Sequence, residues 1–268
     1  MKLYQCLLVK NRWYGGSGRI SPQGIVVHST GANNPELRRY VNPVRGQKDG
    51  MGCLVPKQED WSYYKALQKI GTNQYGNHWN DPEQPYGVHA WIGKMADGEV
   101  AAVQTLPWDR FLYGCGSGRN GSYNNTHIQF EICEDTMDRA YTDKAYKAAV
   151  ELCAWLCQKF RLPVHSITSH YEAGRAGYAS THMDPDHWWT LCGHSMDELR
   201  ADVSKLLAGK VEPYPAQVTV QHAVEDIALN SPDYWESVIE GRVTASGRNI
   251  QALMDKYHGA LETEKKRA

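Results

Sequence analysis

Apolar positions along this chain fall into blocks that alternate between strand-like and helix-like spacing. Ile25, Val26 and Val27 are three β-branched residues in a row, the mark of a buried strand, and His28 stands at the end of the run. Residues 125–135 alternate instead, with Ile128, Phe130 and Ile132 on one face and Gln129, Glu131 and Cys133 on the other. Residues 88–92 and 99–105 read as strands joined by the turn Ala96-Asp97-Gly98. Over 143–160 the period becomes helical, with Ala145, Ala148, Ala149, Leu152, Trp155 and Leu156 as the apolar stripe, and Leu162-Pro163 ends it. Residues 164–169 return as a short strand, and 195–207 predict a second helix opened by a capping box of Ser195 and Glu198. A long polar insertion occupies 31–86, with a helix expected over 60–69; it either roofs a binding groove or serves as a structural flap. Strands alternating with helices predict an α/β class, with a mixed central β-sheet flanked by helices.

The pattern breaks near the C-terminus. Residues 209–216, with Pro213 and Pro215, read as a linker between a domain at 1–208 and a small helical domain at 217–268. Helices are expected there over 218–229, 231–239 and 246–261, the second started by Ser231-Pro232-Asp233. A domain this short is marginal alone, so it leans on its neighbour or forms a homo-oligomer.

Composition narrows the function classes. Apolar residues make up 41% of the 268, enough for a packed core, and no apolar run reaches the length of a membrane span. The first ten residues lack a long apolar stretch and a small-residue cleavage site, so the expectation is a protein made in the cytoplasm without a signal peptide. A net charge of −1 with no basic face argues against nucleic acid as partner. The glycine-rich segment 114–126 has no lysine where a P-loop requires one, which removes a nucleotide reading. Seven scattered cysteines (Cys6, Cys53, Cys115, Cys133, Cys153, Cys157 and Cys192) do not form a disulfide framework, and a reduced protein is expected.

The chemistry concentrates in residues 180–189, where His182, Asp184 and His187 crowd around Pro185, with His170 a short way upstream. Imidazole and carboxylate are the usual ligands of a hydrolytic zinc, which keeps three protein ligands and one open position. The alternative is a histidine-rich surface loop. His28, held at a strand end, adds a third imidazole, and Glu131 adds a carboxylate on a half-buried strand, costly unless paired or used.

Taken in order, Val26-Val27-His28-Ser29, His127-Ile128-Gln129-Phe130-Glu131, Ser169-His170 and Asp184-Pro185 resemble the zinc-dependent N-acetylmuramoyl-L-alanine amidases of the type-2 family, which includes phage endolysins and is related to the peptidoglycan recognition proteins. The resemblance spans roughly residues 20–205. It implies a zinc ion (Zn2+) held by His28, His170 and Asp184, with His182 as the rival third ligand. It implies Glu131 as the catalytic base and a substrate contact at Asn124. Where many members carry an oxyanion-stabilising lysine this chain has His182, which can donate a hydrogen bond but is fully charged only when protonated. Val88-His89 stands where some members place a catalytic tyrosine, and Tyr113-Gly114-Cys115-Gly116 replaces a Trp-His-Cys-Gly or Trp-His-Ala-Gly run.

The implied reaction is hydrolysis of the amide between the lactyl group of N-acetylmuramic acid and L-alanine in peptidoglycan, by a phage or prophage endolysin of a Gram-positive host acting on the wall after release. A recognition-type protein that holds muropeptide without cleaving it is the competing class. Recognition proteins without activity usually lack a zinc ligand, and here all three positions are filled. By the same analogy the C-terminal domain binds cell wall; dimerisation or a purely structural role is the alternative. An unrelated zinc peptidase is disfavoured because no His-Glu-x-x-His helix is present.

Overall fold

The computed structural model describes residues 2–45, 51–55 and 63–210. The chain divides into two units, Met1–Ala208 and Gly209–Ala268. Of the linker expected over 209–216, Gly209 and Lys210 end a helix and the rest lies outside the described residues, as do the expected C-terminal helices and the start of the helix expected over 60–69.

In chain order the first half gives β1 (Leu3–Cys6), β2 (Gly24–Asn33), β3 (Met51–Val55), α1 (Tyr63–Ile70), β4 (Ala90–Lys94) and β5 (Val100–Gln104). The second half gives β6 (His127–Glu134), α2 (Arg139–Phe160), β7 (Ile167–Ser169), α3 (His170–Arg175), α4 (Asp186–Leu191) and α5 (Met196–Lys210). The strands form one seven-stranded sheet in the order β3-β1-β5-β4-β6-β2-β7. It is mixed: β2 runs parallel to β6 and β7, and β4 parallel to β6, while β4–β5 and β1–β3 are antiparallel. The α/β class with a mixed central sheet is therefore the observed architecture.

Alternation along the strands sorts the two faces. Ile25 and Val27 of β2 and Ile128, Phe130 and Ile132 of β6 are buried in one cluster with Ala145, Ala149, Leu152 and Leu156 of α2, Trp188 and Trp189 of α4, and Leu199 and Val203 of α5. Each large aliphatic side chain buried this way contributes roughly 1.5–3 kcal/mol relative to exposure. On the other face Trp91, Val103 and Cys133 pack with Leu37, Tyr40, Ala66 and Ile70, and Trp91 stacks on Tyr40 at 4.5 Å. His28, Gln129 and Glu131 have the sequence parity of that second face, which is why the polar site forms there rather than under α2. α2 begins before its apolar stripe because the Asp138 side chain caps it, accepting from Tyr141 N. Cys6, Cys115, Cys133, Cys153, Cys157 and Cys192 are buried and free. No helix among the described residues is long and apolar enough to cross a membrane.

Candidate metal centre

Three elements converge at the downstream ends of β2 and β7. The register of β2 against β6 places His28 opposite Glu131. β7 ends at Ser169, whose side chain accepts from Glu172 N while the Glu172 carboxylate accepts from Ser169 N; this capping box starts α3 at His170. Tyr171 N then donates to Asp184 O at 3.2 Å, tying the second loop to the start of α3.

His28 Nδ1 lies 3.1 Å from His170 Nδ1 and 3.2 Å from Asp184 Oδ2, and His170 Nδ1 lies 3.3 Å from Asp184 Oδ1. The three donor atoms fall within 4.8 Å of one another. His28 and His170 are buried, and Asp184 is nearly so. The outer ring nitrogens are already committed. His28 Nε2 donates to Gln129 Oε1 at 3.0 Å, and Gln129 Nε2 in turn donates to Asn124 Oδ1 at 2.9 Å. His170 Nε2 donates to Ser180 Oγ at 3.1 Å, whose own proton goes to Cys115 O. Both imidazoles are thereby set as Nε2–H tautomers whose Nδ1 lone pairs face each other and a carboxylate. An acceptor held against the outer ring nitrogen is what fixes a metal-ligating histidine. Facing lone pairs at 3.1 Å repel unless a cation or proton lies among them, so this donor set fits a divalent metal. Burial works to raise the Asp184 pKa, but the two imidazoles of His170 and His28 against it prevail and hold its carboxyl well below the usual carboxylate range.

Glu131 lines the same cleft, about 650 Å³ in volume, together with Ser29, Trp79, Tyr86, Tyr113 and His187. Its Oε2 is sealed from solvent and makes no hydrogen bond among the described residues. Burial first, then the charges of Asp184 and Glu134, push the Glu131 carboxyl well above its ordinary pKa. His182 is exposed and sits outside the donor group: its Nδ1 is 3.2 Å from the outer nitrogen of His170 and 3.0 Å from Ser180 Oγ. The structure thus groups Asp184, not His182, with His28 and His170.

Asn124 is placed differently from the expected substrate contact. It is 2% exposed, and its Oδ1 accepts from Gly114 N, Cys115 N and Gln129 Nε2 while its Nδ2 donates to Gly116 O. With both ends of the amide spent inside, it braces the 114–116 loop and Gln129 and does not face the cleft. The sequence reading passed over Gln129, Ser180 and Glu134. Gln129 had one available signal, its place on the same strand face as Glu131. Glu134 accepts from Ser29 Oγ at 2.6 Å and Gly31 N at 2.8 Å and lies 3.3 Å from His187 Nε2, holding the far rim of the cleft.

A mixed α/β sheet thus carries at its strand ends a His-His-Asp group that could hold a metal ion and a glutamate whose sealed Oε2 has no hydrogen-bond partner among the described residues. The family model described as N-acetylmuramoyl-L-alanine amidase matches residues 18–187, more than half of the chain, and the chain belongs to that family. The resemblance read from the motifs is the same family. A curated relative, the N-acetylmuramoyl-L-alanine amidase CwlA of Bacillus sp, is 30% identical over 123 residues, covering 44% of this chain and 48% of its own. The chain therefore spans about half the length of that relative. Among solved structures, the hydrolase AmiA of Staphylococcus aureus in complex with its ligand is 21% identical, covering 76% of this chain and 82% of its own, with a TM-score of 0.48. The catalytic domain of XlyA is 19% identical, covering 76% of this chain and 99% of its own, with a TM-score of 0.46.

Proposed function

We propose that this protein is a zinc-dependent hydrolase of the amide bond between N-acetylmuramic acid and L-alanine in peptidoglycan, acting as a lysin of phage or prophage origin on Gram-positive walls. The observation that carries the reading is the buried His28–His170–Asp184 group, with both imidazole tautomers preset, beside Glu131, whose sealed Oε2 makes no hydrogen bond among the described residues. His28 Nδ1, His170 Nδ1 and an Asp184 oxygen would hold the ion. When bound, zinc supplies a Lewis acid that polarises the scissile carbonyl and acidifies water near neutral pH.

The remaining work falls to the chain's own groups. Glu131 accepts the proton of the attacking water and passes it to the departing amine nitrogen, a poor leaving group without it. His182 lines the cleft beside Ser180 and would donate a hydrogen bond to the oxygen that gains charge. Tyr86 and Tyr113 stand exposed along the cleft, where aromatic faces suit sugar and peptide surfaces.

The test is mass spectrometry of purified Gram-positive peptidoglycan after incubation with the protein, with and without a chelator. Release of peptides with a free N-terminal L-alanine, lost on chelation and restored by zinc, is expected. Muropeptide binding without release, at full zinc loading, would overturn the hydrolase in favour of a recognition protein.

A further inference from the structure

A second cleft, of about 730 Å³, lies at the opposite ends of the strands that carry the metal centre. β2, β6 and β7 run parallel, and Gln23 just before β2, His127 at the start of β6 and Ile167 at the start of β7 all line it. His28 lies downstream on β2, so roughly 13 Å of strand separates the two sites. None of the residues lining the metal cleft recurs here.

The walls of this second cleft are tied together by ring stacking and a backbone hydrogen bond. Tyr123 stacks on His127 at 3.8 Å and on Tyr178 at 4.7 Å, making a column of three near-parallel rings. Tyr123 N donates to Tyr178 O at 3.0 Å, which locks the two loops carrying the rings. Around this column the Tyr123 and Tyr178 hydroxyls, the Gln23 amide and the His165 imidazole line the cleft, and none makes a hydrogen bond among the described residues. The fixed charges, by contrast, are consumed. Arg200 grips Glu172 through two bonds of 2.9 Å and also binds Asp197 and Ile167 O.

A stacked aromatic column, uncommitted hydroxyl and amide groups, and no spare charge select a neutral ligand rich in hydrogen-bonding groups. An anion would find Arg200 already paired, and an apolar ligand would leave the polar rim desolvated. We propose that this cleft is a saccharide-binding site, distinct from the metal centre; that its saccharide is the N-acetylated glycan of peptidoglycan rests on the proposed function. Binding there does not depend on hydrolysis at the metal. Alongside the proposed function it gives the catalytic domain a second hold on the glycan, raising its residence on the wall without altering the chemical step.

The test is calorimetric titration of the full-length protein with a β-1,4-linked N-acetylglucosamine tetramer. Saturable binding at millimolar or lower concentration is expected, weakened by about tenfold or more in Gln23→Ala combined with Tyr178→Phe. Tyr113→Ala, on the rim of the metal cleft, should leave that binding intact. Both tyrosine changes fall on partly exposed rings, and matching melting curves would show that the fold is retained. The double variant should also cleave an N-acetylmuramyl peptide that carries this single sugar and no glycan chain as the unaltered protein does. Absence of saturable binding, binding unchanged in the double variant, or binding lost in Tyr113→Ala would each overturn the proposal. All three read sugar binding and not turnover, so the hydrolase reading stands or falls separately.

Discussion

Glu131 sits on a strand whose neighbours are buried, with one carboxylate oxygen sealed from water beside Asp184 and Glu134. A carboxyl whose folded pKa lies above the unfolded value binds its proton more tightly when folded. In the metal-free protein the contribution of Glu131 to stability should therefore be fully present below pH 4.5, the ordinary glutamate value, and be lost as pH rises toward its folded pKa. Glu131→Gln removes that loss, and the chelated variant at neutral pH is expected to gain about 1–3 kcal/mol, read as a higher Tm. The same change should lower turnover by roughly 10²–10⁴ while zinc stays bound. Gln129→Leu tests the support of His28: removing the acceptor of its Nε2–H should weaken zinc binding about 10–100-fold in a competition titration, and an unchanged affinity would refute the tautomer argument. His28, His170, Asp184 and Glu131 were legible because their chemistry is written into short motifs. Gln129 and Ser180 were not, because which polar side chain meets an outer imidazole nitrogen depends on strand register and loop contact. Asn124 was noticed for the wrong reason, since a sequence does not reveal that both ends of an amide are satisfied internally.

Among the elements, β2, β6 and α2 were readable from their apolar spacing. β1 was missed because four residues are too few to establish alternation, and α4 because its six residues include two tryptophans that serve the core rather than a helical stripe. α3 carried a readable signal, the Ser169–Glu172 capping box, but Gly174 soon after made a helix improbable on propensity alone. Packing between elements makes one demand that no propensity reports. A Cβ on Gly24 would lie 2.4 Å from His127 Nε2 and 2.6 Å from Ser166 O, so β2 meets the starts of β6 and β7 only if that residue is glycine. Gly24→Ala is expected to cost about 1–3 kcal/mol in denaturant melts, as overpacking does. Its effect on zinc affinity should be smaller than that of Gln129→Leu, since the clash lies at the far ends of the strands.

At the scale of the whole molecule, acid should unfold this protein through histidines that the active site does not use. His89 is fully buried, its Nε2 donating to Arg110 O and its Nδ1 accepting from Gln129 N. Burial lowers the pKa of both His89 and His127 from 6.5 to about 4. A depressed imidazole pKa gives stability that is present above pH 6.5 and is lost as pH falls toward 4, on the order of 3 kcal/mol for each ring. Thermal melts of the chelated protein across that interval should show the decline, and a flat profile would mean that neither ring is neutral because of the fold. β7 has a further consequence. It is a three-residue strand at the sheet's edge, paired among the described residues with β2 alone, and the chain after it supplies His170 and Asp184. The thinnest margin of the sheet is thus the part an ion would fasten. Backbone amides over 167–190 are expected to exchange with deuterated water faster after chelation than those of β4 and β6. Metal scarcity would then disarm the protein by loosening one hem of its fabric, reversibly, and the rest of the domain would wait folded for the ion to return.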